Sequence, residues 1–214
     1  MSEVRPVVFC PWQAAMMHPD LVLPPLFEIA RQIPFIHVHA APIAQMLNQA
    51  VDVFMQTDFT HFVNLDIDHI HPADVVHRLG RDVLQHPEIK MIGGLNFARP
   101  EPHVPCAWIE RDGEVVRMTD WIDCIEPVEL LGFGCVMIAR DVFQQVEPPW
   151  FMYDYSDMSA GEDYQYPGSD MYFCKKVRDA GIKIYCDTSI TSPHIGYKLA
   201  GKESYERQRE RVPA

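Results

Sequence analysis

Residues 60–69 read Thr-His-Phe-Val-Asn-Leu-Asp-Ile-Asp-His, an apolar run that ends in two aspartates and a histidine. Phe62, Val63, Leu65 and Ile67 suit a buried strand, and strand alternation sends the carboxylates of Asp66 and Asp68 to the same side. Two carboxylates projecting together repel each other unless a cation sits between them. Hard divalent ions such as Mg²⁺ or Mn²⁺ take such oxygen ligands, often one or two carboxylates completed by substrate phosphates. These residues therefore favour a metal–nucleotide site. Asp-x-Asp also ends many solvated strands, so this chemistry needs a second half elsewhere in the chain.

The elements around the pair alternate. Val4 to Phe9 reads as a strand, Pro24 to Gln32 as a helix, Pro34 to His39 as a strand, and Ile43 to Met55 as an amphipathic helix. The aspartate strand follows, then a helix over Ala73 to Leu84 behind Pro72 and a short strand over Lys90 to Gly94. This order predicts an α/β domain with a mostly parallel central sheet flanked by helices. In such sheets ligands bind beyond the carboxyl ends of the strands, where the aspartates lie.

The second half differs. Cys106–Glu110 and Glu114–Met118 flank Arg111-Asp112-Gly113, and Asp-Gly is a strong hairpin signal. A glycine-flanked strand runs over Gly132–Ile138, a helix over Arg140–Val146, and a Pro-, Tyr- and Asp-rich loop over Glu147–Ser169. A helix over Asp170–Ala180, strands over Ile182–Cys186 and Ile190–His194, and a charged helical tail after Lys198 complete the chain.

The 214 residues are expected to form one domain, with 1–95 as its nucleotide-binding half, 96–197 as its acceptor half, and 198–214 as the tail. A net charge of -12 argues against a nucleic-acid surface, because a phosphate backbone needs a cationic face. It leaves nucleotide binding open, since a metal can neutralise a diphosphate locally. Six scattered cysteines without a Cys-x-x-Cys pair suggest free thiols in a reducing compartment. Met1 to Pro6 does not read as a signal peptide, and no apolar run approaches the ~18–20 residues of a membrane span. The expectation is a cytoplasmic protein.

Five segments, in order, carry a resemblance: Leu65–Asp68, Leu131-Gly132-Phe133-Gly134-Cys135-Val136-Met137-Ile138-Ala139-Arg140, Pro149–Phe151, Ser169–Cys174 and Pro193-His194-Ile195-Gly196. Together they resemble nucleotide-sugar-dependent glycosyltransferases of the GT-A fold, similar to the large family 2 type, over roughly residues 4–197. The resemblance implies a single GT-A (Rossmann-like) domain and a metal, Mn²⁺ (or Mg²⁺). The metal would help a diphosphate leave by neutralising its developing charge. It further implies that Asp68 binds the metal, that Asp66 contacts the ribose or a metal-bound water, and that His194 is a late metal ligand. Asp170 aligns with the acidic residue that activates the acceptor hydroxyl, and Asp163, in Glu162-Asp163, is the reserve for the same role. A UDP-sugar is the first expectation for the donor, and the acceptor is left open.

Cys10, Pro11 and Trp12 at the end of the first strand, with Asn48, are expected to line the base and ribose pocket. Relatives often carry an Arg-Asn pair near Asn48; here the arginine position is Leu47. Gly132 and Gly134 either leave backbone bare for a sugar ring or mark a bulge or tight packing. Trp150 either stacks on a sugar or anchors its loop, and Lys198 is either a phosphate contact or a surface lysine. His69 and His71 read as polar loop residues before Pro72. Three other functions fit parts of the pattern: a nucleotidyltransferase of related fold, a metal-dependent hydrolase, and a non-catalytic sugar-binding module.

Overall fold

Strands that are apolar on both faces need a helical layer on each side. The computed structural model, which describes residues 3–11, 19–38, 41–153, 168–196 and 201–209, has that arrangement. In chain order the elements are β1 (Pro6–Phe9), α1 (Pro19–Ala30), β2 (Phe35–Ile36), α2 (Ile43–Met55), β3 (His61–Leu65), α3 (Val75–Gln85), β4 (Met91–Leu95), β5 (Ala107–Arg111), β6 (Glu114–Arg117), β7 (Ile125–Val128), β8 (Leu130–Leu131), β9 (Cys135–Ala139), α4 (Arg140–Gln145), α5 (Ser169–Asp179), β10 (Ile184–Thr191) and α6 (Lys202–Arg209). The 7-stranded sheet has the order β2-β1-β3-β9-β4-β10-β7, and a 3-stranded sheet has the order β6-β5-β8. β1, β2, β3, β4 and β10 run one way, whereas β9 and β7 run against them.

Alternation along the strands divides the core. Phe9, Phe62, Val136 and Ile138 face α2, α4 and α5 through Leu47, Phe54, Phe143 and Phe173. Val8, Val63, Leu65 and Met137 face α1 and α3 through Leu26, Ile29, Val76 and Leu79. The rings of Phe54, Phe62 and Phe143 pack at centroid distances of 5.7–5.9 Å. Burying each such side chain contributes about 1.5–3 kcal/mol. Arg140 closes the end of α2: its guanidinium lies 4.4 Å over the Phe54 ring and donates to the carbonyls of Phe54, Thr57 and Phe59.

Several elements depart from the sequence expectation. β9 enters antiparallel between β3 and β4, which consecutive parallel strands would have placed side by side. α1 begins at Pro19 rather than Pro24 and carries Pro24 and Pro25 inside it. The two final strands are one strand, β10, because Asp187 and Thr188 satisfy local donors and carbonyls instead of ending it. Asp187 accepts from Ser189 N at 2.9 Å, and Thr188 donates to Cys124 O at 3.0 Å. β7 escapes the sequence reading because Pro127 interrupts its apolar run, and an edge strand tolerates that proline. The hairpin is as expected, with Asp112 and Gly113 both at positive φ (55° and 83°). All six cysteines are free thiols. No helix among the described residues is long and apolar enough to cross a membrane.

One buried acid stands apart from the rest. Asp82 of α3 lies by Asp187 of β10; burial first, then that neighbouring carboxylate, raises Asp82 from 3.8 to about 6. Because the folded value exceeds the unfolded one, the stabilisation belongs to the protonated form. It is lost as the pH rises from about 4 to about 6. Asp82→Asn is expected to raise Tm near pH 8 and to leave it nearly unchanged near pH 4. Thermal melts at the two pH values check this, and equal shifts at both would remove titration as the cause.

Candidate functional site

β3 ends at Leu65, so Asp66 and Asp68 lie in the turn beyond it rather than on alternating strand positions. His69 N donates to Asp66 O at 3.2 Å to close the turn, and Asp66 N donates to Gly134 O at 2.9 Å. The next residues pair with the segment after β10: Ile195 N donates to Asp68 O at 2.7 Å and Ile70 N to Pro193 O at 2.9 Å. This ladder brings together side chains 126 residues apart, with His194 Nε2 at 3.1 Å from Asp68 Oδ2.

Hydrogen-bond chemistry fixes how these groups point. His194 Nδ1 faces the carbonyl of Phe97 at 3.2 Å and must donate to it, and Nε2, which accepts from Arg99 Nη2 at 2.9 Å, turns its lone pair toward Asp68. His69 Nδ1 donates to Asp68 Oδ1 at 3.0 Å and leaves Oδ2 for His194. Burial pulls toward the neutral acid, yet the donors around it, His69 and Arg99 among them, hold Asp68 well below the usual carboxylate range. Two lone-pair atoms 3.1 Å apart call for a cation between them, and Arg99 Nη2 donates to both. A ligating histidine usually gives its other N–H to a carbonyl, as His194 does. The donors thus fit a divalent ion, and the ligand atoms of Asp68, His69 and His194 all lie within 4.8 Å of one another.

The two histidines read as polar loop residues are in fact buried, at 3% exposure for His69 and 2% for His71. His69 stacks on His194 with centroids 4.2 Å apart. His71 Nε2 donates to Asp66 O at 2.8 Å and Nδ1 accepts from the Ser192 hydroxyl at 3.0 Å. Burial, with His69 beside it, lowers His71 to about 3, so it stays neutral and serves as a strut. A histidine between apolar positions after a strand was the available signal, but Pro72 made it resemble a loop.

Asp66 and Asp170 complete the acidic side. Burial, then Asp68, with a smaller contribution from Asp170, raises Asp66 to about 8, against a hydrogen bond from Asn64 Nδ2 at 2.8 Å. Asp170 sits in the first turn of α5, where Phe173 and Val177 are fully buried. Burial raises its pKa against backbone hydrogen bonds from Met171, its own amide and Phe133. Cys10, at the end of β1, is raised to about 12 by burial and then by Asp66 and Asp68, which places it beside the site as a neutral thiol. Pro11 is buried next to it. Trp12, Asp163 and Lys198 lie outside the described residues.

Other expected donor contacts have structural duties. Asn48 donates to Ala44 O and Phe151 O and accepts from the amides of Trp150 and Phe151, which uses its whole amide. Trp150 is buried, donates to Val146 O at 2.8 Å and packs edge-on against Phe143, so it anchors its segment instead of offering a sugar platform. A Cβ at position 132 would come within 2.8 Å of Cys106 Cβ, so Gly132 answers to packing. At Gly134 a Cβ would lie 2.7 Å from His69 Nε2 and 2.9 Å from Asn96 Cγ, so this glycine makes room for the histidine behind Asp68.

The sequence matches no family model and no curated protein. Solved structures do match. The protein A197 from STIV is 16% identical, with 92% of this chain and 94% of that chain covered and a TM-score of 0.60. CMP:2-keto-3-deoxy-manno-octonic acid synthetase complexed with CTP is 13% identical, with 98% of each chain covered and a TM-score of 0.50. UDP-glucose pyrophosphorylase complexed with UDP-glucose is 7% identical, with 98% and 100% covered and a TM-score of 0.51. The likeness is one of fold. It agrees with the Rossmann-like, GT-A-type α/β domain expected from the sequence, with its mostly parallel sheet and separate hairpin.

Gly134→Ala is expected to push His69 off Asp68, lowering stability by about 1–3 kcal/mol as overpacking does and weakening Mn²⁺ binding. Chemical denaturation and a Mn²⁺ titration check the two effects. If both are unchanged, the His69 ring yields freely and does not orient Asp68.

Proposed function

We propose that this chain is a metal-dependent transferase acting on a nucleotide-activated sugar, with glycosyl transfer to an acceptor hydroxyl as its reaction. The observation that supports it is the 3.1 Å approach of His194 to Asp68, beyond the carboxyl edge of the sheet, with Asp66 and Asp170 as electrostatic neighbours. Asp68 and His194 would hold a divalent ion, and imidazole among the donors suits Mn²⁺ better than Mg²⁺. Bound there, the ion would supply charge neutralisation to the departing nucleoside diphosphate. His69 fixes the Asp68 carboxylate, and the Phe97 carbonyl fixes the His194 ring. Asp66 would face the ribose. Asp170 would take the proton of the acceptor hydroxyl: burial raises its proton affinity above that of an exposed aspartate, which strengthens it as a base. UDP is the first choice of nucleotide.

Nucleotidyl transfer is the second reading, and the solved structures favour it, because the synthetase and the pyrophosphorylase are nucleotidyltransferases. The chain's own residues weigh the other way. A triphosphate is commonly cradled by glycine-rich backbone and a basic side chain. Residues 10–18, which follow β1, contain no glycine, lysine or arginine, and the first glycine of the chain is Gly80.

The two reactions leave different products. With Mn²⁺ and a panel of nucleotide sugars, glycosyl transfer releases a nucleoside diphosphate. Nucleoside triphosphates with sugar phosphates would instead yield pyrophosphate under the second reading. Asp68→Asn is expected to abolish Mn²⁺-dependent donor binding with the fold intact. Asp170→Asn is expected to cut turnover by on the order of 10²–10⁴-fold while donor affinity is nearly unchanged. Pyrophosphate release from triphosphates, with no nucleoside diphosphate from any sugar donor, would replace the first reading with the second.

A further inference from the structure

The loop after β4 delivers a cation that the proposed chemistry has not used. Arg99 Nη2 donates at once to Asp68 Oδ2 and to His194 Nε2, the latter at 2.9 Å. These are the two atoms that face each other at 3.1 Å and that would hold a divalent ion. The contacts tie Arg99 to residues 31 and 95 positions away, so they report the tertiary fold rather than local chain geometry.

The electrostatics explain why it rests there. Asp68 is held ionised inside a largely buried site, and His194 Nε2, whose ring donates through Nδ1 to Phe97 O, adds a lone pair aimed at the same point. Without a positive group that arrangement is repulsive, and a guanidinium relieves it with N–H groups directed at both atoms. A divalent ion would relieve it in the same place, through the same lone pairs. Nη2 and the ion cannot both occupy it.

Building on the metal reading above, we propose that Arg99 is the resident cation of the site. It keeps Asp68 and His194 aligned while no metal is bound and must leave both before a metal can enter. Arg99 is a positioning residue, and its side chain is 35% exposed, so it can swing outward without disrupting the core. Metal loading is then an exchange of one cation for another. The apparent metal affinity is reduced by the fraction of molecules in which the guanidinium has moved away.

The test is Mn²⁺ binding to the full chain without nucleotide, read from the loss of the free Mn²⁺ paramagnetic resonance signal. Arg99→Gln and Arg99→Ala are expected to bind Mn²⁺ about tenfold or more tightly than the unsubstituted protein. Arg99→Lys, which keeps the charge but not the planar fork, should fall between them. Thermal melts confirm that each variant is folded. Equal affinity in all proteins, or weaker binding in the neutral variants, would overturn the exchange while leaving the metal site standing. If no protein binds Mn²⁺, and Asp68→Asn is equally inert, both the metal reading and the exchange fail.

Discussion

Two backbone hydrogen bonds, Ile195 N to Asp68 O and Ile70 N to Pro193 O, hold the site together. β3 and β10 are not neighbours in the sheet, because β9 and β4 lie between them. The segments leaving their carboxyl ends therefore meet beyond the ends of the intervening strands. That crossing turns Asp68 and His194 toward each other and stacks His69 on His194. Room for it comes from Gly134, just before β9, whose missing Cβ is filled by the His69 ring. A chemical site is thereby built from side chains that no single strand presents.

The polar groups of the site have unequal proton affinities, and burial accounts for most of the spread. Asp66 is pushed up to about 8, His71 down to about 3, and Cys10 up to about 12. Each of these is driven toward its neutral form. Asp68 alone is held firmly ionised, by donors arranged around it. Of the paired carboxylates Asp66 and Asp68, the charge thus rests mainly on Asp68. A cation entering this region finds a single strong anchor with weaker acids around it.

Much of this was legible in the sequence where the signal is local. The helix over Ile43–Met55, the Asp-Gly hairpin and the strand leading to Asp66 all appear where periodicity and turn chemistry put them. Asp170 heads its helix as expected. What escaped depends on distant partners. Nothing in residues 135–139 says that they run antiparallel between β3 and β4, since a fully buried strand reads the same in either direction. His69 and His71 looked like solvated loop residues because their partners, Ser192 and His194, come from the other end of the chain. Asn48 and Trp150 drew attention for residue types that bind ligands, yet both are consumed by packing. Arg99 drew none, because a lone arginine in a loop carries no pattern.

The anchoring of residues 147–151 has a consequence for how two helices are held. Lys176 of α5 donates to the carbonyls of Glu147 and Pro149, Asn48 brackets Trp150 and Phe151, and the Phe151 ring stacks on Phe173 at 4.8 Å. The chain that leaves after Tyr153 therefore starts from a point fixed to α2 and α5, and it returns at Gly168 onto that same α5. A change at Asn48, Phe151 or Lys176 would therefore loosen α2 and α5 together, and with α5 the position of Asp170.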